Sequence, residues 1–412
     1  MTAVAATHRR VAILGAGPTG IEAAHALACA GFDVHVYERG NVGQSVRTWG
    51  HVTLFSPWAL NTSPVGRAAL AEMGRSCPAD TTFPTGHAYV AQYLEPLAQH
   101  PRLHGRVHTR TTVIQVGRQH VLKGELIASA ARREHPFRLL LEEQNGQERL
   151  ASAEIVLDTT GCYTQPNCLG DSGIPAPGER RAAQAGRILY QLPDVMGADL
   201  RRFAGRHTVV IGAGYSAATT LSSLLTIAQE EVGTRVTWLT RTLAPPYPRI
   251  AADPLPERDR LAALGNAVAA GAYADVVTYM GGVSVDEVRC DGQGKLVLRL
   301  LGHEHQSHSV LAVDQVVAQV GYHPDVSLYR ELQVHQCYAS EGPMQLAAAL
   351  LANSGGGGDC LVQTSPGPAT LTSPEPDFFI LGAKSYGRGS AFLLKLGLEQ
   401  IRDVLTLLGG EG

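Results

Sequence analysis

The sequence contains no CxxC pair: its seven cysteines, at 29, 77, 162, 168, 290, 337 and 360, are scattered over 412 residues. Such scatter argues against a zinc site and against a secreted disulfide scaffold, and it fits a reducing cytoplasm. A dense Lys/Arg run is also missing, with 34 basic residues against 37 acidic ones and a formal net charge of -3. Nucleic acid is therefore not an expected partner, since clustered cations are what track a phosphate backbone. Nowhere does the chain reach the roughly 18 uncharged apolar residues that a membrane span requires. The opening "MTAVAATHRR" runs into a strand without the apolar core of a signal peptide. These absences point to a soluble, cytoplasmic protein, and they leave a homo-oligomer open.

What is present is a 44% hydrophobic content, enough to fill the cores of two or three domains. The first folded unit is legible in order. Residues 10 to 14 are apolar and stop at Gly15, an Ala-rich helix follows over 21–30, and "DVHVYE" alternates as a strand. Helical spacing continues at 88–99, and "TTVIQVGR", "FRLLLEEQ" and "SAEIVLDTTG" read as strands. From 207 the cycle repeats: "HTVVIGAG" is a strand into a turn, "YSAATTLSSLLTIAQEE" a helix and "TRVTWLTR" a strand. A Pro-rich stretch, a helix near 257–271 and three strands follow, of which the last, "AVDQVVAQVG", again ends in glycine. The Gly/Ser/Pro-rich segment 341–376 is expected to be a surface excursion with little regular structure. The chain closes with a strand, a glycine-punctuated turn and an amphipathic helix.

Gly15, Gly17 and Gly20 form GxGxxG directly between a strand and a helix, with Pro18 and Thr19 inside the motif and Glu38 closing the next strand. The first glycine permits the tight turn, the second lets backbone amides reach a pyrophosphate at the helix N-terminus, and the third lets helix and strand pack. A carboxylate at 38 suits an adenosine ribose. The second turn, Gly212, Gly214 and Ala217 around Tyr215 and Ser216, is a GxGxxA variant. Where Glu38 closes the first unit, this one offers Thr240 and Arg241. A guanidinium there suits a ribose with a 2'-phosphate, hence NADPH, although it also fits a solvated strand-end charge. Two dinucleotide turns in one chain imply a resident flavin and an exchanging nicotinamide, with hydride passing between them.

On these residues the chain resembles the two-dinucleotide-binding-domain flavoproteins, and more particularly the flavin-containing monooxygenases. "ILGAGPTG" through "VYER", including Arg39, resembles the family's FAD-binding start. "VGQSVRTW", with Gln44, Ser45 and Trp49, resembles its flavin loop. "LNTSP" resembles the segment with a flavin-contacting asparagine, which would make Asn61 catalytic; "TTVIQV" resembles the strand that contacts adenine, here through Val113. "VLDTTG", with Thr160 and Gly161, and "VAQVGYHPD" resemble the two hinge-strand ends. "FILGAKSYGRGSAF" stands where the family carries a Gly-Asp pair near the flavin ribityl, and places Gly382 and Phe392 by the cofactor. The resemblance implies an α/β fold of two Rossmann-like domains, an NAD(P)H-binding domain at 166–309 inserted in an FAD-binding domain made of 1–165 and 310–412. It implies an NADPH-consuming monooxygenase in which reduced FAD and molecular oxygen form a C4a-hydroperoxide that oxygenates nitrogen or sulfur in a small molecule. The alternative is a flavin reductase that passes electrons to a disulfide, quinone or protein acceptor.

Three further clusters carry open readings. Lys384, Tyr386 and Arg388 suit either a turn beside a flavin or a polar surface loop. Arg47, Trp49, His51 and Trp58 suit a ring-stacking pocket or a loop anchored on the core. Tyr247, Arg249 and Asp253 lie in a Pro-rich stretch that could cover a nicotinamide or serve as a stiff connection.

Overall fold

The computed structural model describes residues 9–243, 246–291, 294–303, 308–353, 361 and 363–409. The chain divides into two compact units, Met1–Gln165 with His323–Gly412, and Pro166–Tyr322.

The first unit begins with β1 (Arg10–Leu14), the helix Pro18–Cys29 and β2 (Asp33–Glu38), followed after short helices by β3 (Val107–Thr109). β4 (Thr111–Arg118), β5 (Phe137–Glu143) and β6 (Glu148–Ala153) form an antiparallel sheet, and β7 (Ile155–Asp158) returns beside β1. Both faces of β1 are covered, which is why it reads as an unbroken apolar run. Val11 and Ile13 join the core that holds Ile21, Leu27 and the C-terminal helix residues Leu396 and Val404. Ala12 and Leu14 point to the core built on Val116, Leu139, Leu141 and Phe378.

The second unit contains β8 (Ile188–Leu189), β9 (His207–Ile211), the helix Tyr215–Glu230, β10 (Arg235–Thr240), the helix Pro256–Ala269 and β11 (Val277–Gly281). β12 (Val283–Cys290), β13 (Leu296–Gly302) and β14 (His308–Val313) form its antiparallel sheet, and β15 (Gln315–Ala318) pairs with β9. β16 (Phe378–Ile380) then completes the first unit's parallel sheet in the order β16-β7-β1-β2-β3, against β11-β10-β9-β15-β8 in the second. The fold is α/β, with two Rossmann-like units.

The two units repeat one plan down to single hydrogen bonds. Between β6 and β7 stands one residue, Glu154, whose carboxylate accepts the Arg10 amide at 2.8 Å while its own amide donates to the Arg10 carbonyl at 3.0 Å. Between β14 and β15 stands Asp314, which makes the same two bonds with His207 at 2.9 Å each. This joint corrects one expectation. The run "AVDQVVAQVG" serves two sheets rather than one strand, so residues 310–322 lie in the second unit and not with the C-terminal part of the first. The segment 341–376 also departs from expectation: it contains the ten-residue helix Met344–Asn353, with Leu346 fully buried in the core of the first unit.

A long excursion from 119 to 136 is fastened by buried charge. Arg118 Nε donates to Glu375 Oε1 at 2.7 Å, and Arg132 Nη2 donates to Glu375 Oε2 at 2.9 Å, with all three side chains excluded from solvent. The Gln333 amide adds a bond to the same carboxylate at 2.8 Å, so its acceptor sites are filled, which a buried ion requires.

In the helix Pro18–Cys29, His25 lies buried with its ring edge-on to His100 at 4.6 Å. Burial, aided by His100 and Arg102, lowers its imidazole from 6.5 to about 4. The folded state therefore keeps His25 neutral while the unfolded chain protonates it, so its contribution is fully present above pH 6.5 and is lost as pH falls from 6.5 toward 4. Thermal midpoints recorded from pH 7.5 to 5 should fall for the wild type, and His25→Leu should flatten that dependence.

Candidate nucleotide sites

In the first turn Gly15 has φ +98°, and a Cβ there would lie 3.0 Å from the Thr159 carbonyl oxygen at the end of β7. A Cβ on Gly20 would lie 2.0 Å from the Gly15 carbonyl oxygen. The protein itself thus requires the first and third glycines. Gly17 is different, because a Cβ there would meet nothing within 4 Å. The space over the N-terminus of helix Pro18–Cys29 is open, as a pyrophosphate bound by its amides requires.

Glu38 closes this turn: its Oε2 accepts the Ala16 amide at 2.8 Å and its Oε1 accepts the Gly40 amide at 2.7 Å. Beside it opens a cavity of about 440 Å³ lined by Arg39, Gly40, Asn41, Arg110, Thr112, Glu142, Glu143 and Gln144. Its position next to the strand-end acid fits the adenosine end of a dinucleotide. Val113 follows Thr112 at a bulge in the β4–β5 ladder, between Val113 and Gln115. The Gly43 amide bonds the Ala16 carbonyl at 2.9 Å, which docks the short helix Gln44–Thr48, with Ser45 inside it, against the turn.

The C-terminal turn meets the same place. Thr19 occupies a notch between Gly382 and Gly397, whose absent Cβ atoms would stand 2.9 and 2.7 Å from its hydroxyl. Phe392 lines that notch and packs on Tyr386 with ring centroids 5.4 Å apart. Lys384 is 1% exposed and Asp158, at the end of β7, is fully buried. Lys384 Nζ donates to Asp158 Oδ2 at 2.6 Å and to Thr160 Oγ1 at 3.0 Å, and sits 5.0 Å from the Tyr329 ring centroid. Asp158 Oδ1 in turn accepts the Thr160 amide and hydroxyl at 3.1 and 2.6 Å. Of the two readings for this cluster, the surface loop fails for Lys384 and Tyr386, which are buried, and holds for Arg388, which is exposed and pairs with Glu341. Asp158 was invisible as a site residue; its signal is an acid inside the apolar run "IVLD".

The second turn copies the first. Gly212 has φ +125°, and its Cβ would fall 2.1 Å from the Gln319 carbonyl oxygen at the end of β15, while a Cβ on Gly214 would meet nothing within 4 Å. Ala217 is fully buried behind it, and Tyr215 and Ser216 begin the helix. Strand register aligns Leu239 with Tyr37 through their neighbours Ile211 and Leu14, so Thr240 is the counterpart of Glu38 and Arg241 that of Arg39. Arg241 is exposed.

Other residues are placed away from open space. Asn61, expected to be catalytic, is fully buried, and its amide is consumed: Nδ2 donates to the Ser56 and Pro57 carbonyls at 2.8 and 3.0 Å, and Oδ1 accepts the Ser56 hydroxyl at 2.7 Å. Asn61 therefore braces the 56–61 turn. Trp58 is buried in the core, whereas Trp49 and Arg47 lie half-buried, the latter paired with Glu95. Tyr247 packs beneath the second turn, and Asp253 is held by Arg258 in a buried pair at 2.7 Å, so this Pro-rich stretch is a packed connection. Cys360 lies outside the described residues.

Two glycine turns at the carboxyl ends of two parallel sheets, one closed by an acid, define a flavoprotein oxidoreductase of the two-dinucleotide class. The chain belongs to the pyridine nucleotide-disulphide oxidoreductase family, whose model matches residues 9–338. It is 26% identical over 249 residues to flavin-containing monooxygenase FMO GS-OX-like 2 of Arabidopsis thaliana, a match covering 54% of this chain and 49% of that protein. The matched part thus spans about half of the curated relative. Among solved structures, bacillithiol disulfide reductase Bdr from Bacillus cereus superposes with TM-score 0.68 at 20% identity, covering 97% of this chain and 98% of that one. The ornithine N-hydroxylase of Kutzneria sp. 744, with reduced FAD, NADP+ and L-ornithine, gives TM-score 0.65 at 15% identity, covering 97% and 98%. At these identities the structural likenesses show the fold.

Lys384→Met should strand the Asp158 carboxylate in the interior and lower stability by about 3–5 kcal/mol in urea titration. The double variant Lys384→Met/Asp158→Leu should recover most of that loss.

Proposed function

We propose that the protein is an FAD-dependent, NADPH-consuming monooxygenase acting on a small nitrogen- or sulfur-containing metabolite. The observation that carries the nucleotide assignment is the contrast between the turns: Glu38 closes the first, and Thr240 with the exposed Arg241 closes the second. A carboxylate suits the ribose diol of FAD, and a cation next to a threonine where the first unit has the acid suits the 2'-phosphate of NADPH. Oxygenation rather than dithiol chemistry is supported by the sequence similarity to a flavin-containing monooxygenase and by the lack of any CxxC spacing.

When bound, the nicotinamide supplies hydride and the flavin hands reducing equivalents to oxygen. The chain's own part is to hold and orient. Glu38 and the open amides above Gly17 fix the FAD ribose and pyrophosphate, and the Lys384–Asp158–Thr160 cluster holds the strand end at Gly161 rigid. Arg39, Gln44, Ser45, Trp49, Val113, Gly382 and Phe392 complete the FAD contacts in this reading, and Gly214, Tyr215 and Ser216 receive NADPH.

A second reading, electron transfer to a disulfide, quinone or protein acceptor without oxygen insertion, is favoured by the family and by Cys162, which directly follows Gly161. Purified yellow enzyme that consumes NADPH and oxygen together, and only with an amine or thioether substrate, supports the first reading. Rapid anaerobic reduction of a quinone or disulfide establishes the second. Arg241→Ala should reduce the preference for NADPH over NADH about tenfold, as loss of one charge-assisted hydrogen bond implies, read from KM for each nucleotide.

A further inference from the structure

The second glycine turn is held from within by two aromatic side chains, whereas in the first the Gly15 carbonyl is taken by the Thr159 hydroxyl at 3.0 Å. Trp238 Nε1 donates to the Gly212 carbonyl at 2.8 Å, and the Tyr247 hydroxyl donates to the Gly214 carbonyl at 2.9 Å. Trp238 is fully buried, Tyr247 nearly so, and their rings stack 6.2 Å apart at 19°. Tyr247 is itself fixed by helix Pro256–Ala269. Asn266 accepts its amide at 3.2 Å and donates to its carbonyl at 2.8 Å, and Gly265 leaves the room its ring needs, since a Cβ there would stand 2.3 Å from Tyr247 Cε2.

A trans peptide points its N–H opposite to its C=O. Anchoring the Gly212 and Gly214 carbonyls on the buried side therefore turns the amides of Ala213 and Tyr215 outward, toward the open space above Gly214. The first turn is organised by other groups: the Thr159 hydroxyl holds the Gly15 carbonyl, and a carboxylate takes the amide that follows. The residue matching Trp238 in register is Val36, which has no polar group, and the amide matching that of Ala213 belongs to Ala16 and is consumed by Glu38. The residue matching Glu38 in the second unit is Thr240, whose hydroxyl meets the Thr242 carbonyl and Tyr279.

We propose that Trp238 and Tyr247 are positioning residues for the nicotinamide dinucleotide: they hold the second turn in its phosphate-binding form by its carbonyls, leaving its outward amides to the pyrophosphate. The inference rests on the reading that this turn receives NADPH. It explains why the Pro-rich stretch after β10 packs under the turn instead of covering it.

The test uses the FAD-loaded full-length enzyme and titration calorimetry with NADPH and with 2',5'-ADP. Tyr247→Phe keeps the ring and removes only the hydroxyl, and should raise both dissociation constants about three- to tenfold, the size of one lost hydrogen bond, with FAD content unchanged. Trp238→Phe provides a second variant and should act in the same direction. Tyr247→Leu should weaken binding as much as Tyr247→Phe while lowering the thermal midpoint considerably more, which separates positioning from packing. Variant affinities equal to wild type, with stability alone reduced, overturn the proposal. A wild-type enzyme that binds neither ligand overturns the assignment of the turn and this proposal with it.

Discussion

In each parallel sheet a glycine lies against the last carbonyl of the neighbouring strand. Gly15 approaches the end of β7 at Thr159 and Gly212 the end of β15 at Gln319, each so closely that a Cβ would collide with backbone. Backbone cannot yield as a flexible side chain can, so the strand-to-helix crossing exists only with glycine there. The helix N-terminus is thereby brought to the carboxyl edge of the sheet, where its amides face outward. The remaining architecture keeps the neighbouring strand in register for this approach. Glu154 and Asp314, the single-residue joints before β7 and β15, fasten those strands to the first residues of β1 and β9 and so fix how far each strand end projects.

With the common plan accounted for, the differences between the units carry the chemistry. In the first turn the Thr159 hydroxyl holds the Gly15 carbonyl and Glu38 takes the Ala16 amide, which brings a negative charge to the strand end. The second is organised by two neutral donors, acting on carbonyls, with an arginine at the surface. Both solutions stabilise nearly the same backbone, but only the second does so without placing a carboxylate where a 2'-phosphate would lie. In the proposed reading, Thr240 in place of an acid removes a repulsion from a 2'-phosphate, and Trp238 and Tyr247 add to the order of this turn.

Much of this was legible in the chain because its causes are local. The glycine spacing, the apolar strands buried on both faces and the change of strand-end residue are all set within about 30 residues. What escaped depended on distant partners. Lys384 reads as a surface lysine until its acid, 226 residues earlier, is brought to 2.6 Å. Tyr247 looks like a loop residue until Gly214 and Asn266 claim it. The helix Met344–Asn353 was hidden by its Gly/Ser/Pro-rich surroundings, although "MQLAAALLAN" is itself rich in good helix formers. The limit near 310 was misplaced because one apolar run feeds two sheets through a one-residue joint. The bonds of Asn61 to its neighbours at 56 and 57 could not be read from its motif, which is matched by residue type alone.

The division of the first unit by an insertion follows from the same constraint. Its nucleotide turn needs material from both ends of the chain: β16 must lie beside β7, Gly382 must receive Thr19, and Lys384 must neutralise Asp158. An interruption is tolerable only where the break leaves the strand ends undisturbed. Within the first unit the two break points stay joined by the His323 amide bonding the Gln165 carbonyl at 2.9 Å. Within the second, the two termini pair through Pro166 and Tyr322, and the Asn167 amide bonds the Gly321 carbonyl at 3.0 Å. Each unit thus closes on itself at the point where the chain leaves it, as domain insertion requires. Thr160 and Gly161, which flank the first nucleotide turn, lie only a few residues before the break and keep their positions because Asp158 and Lys384 hold them from the buried side.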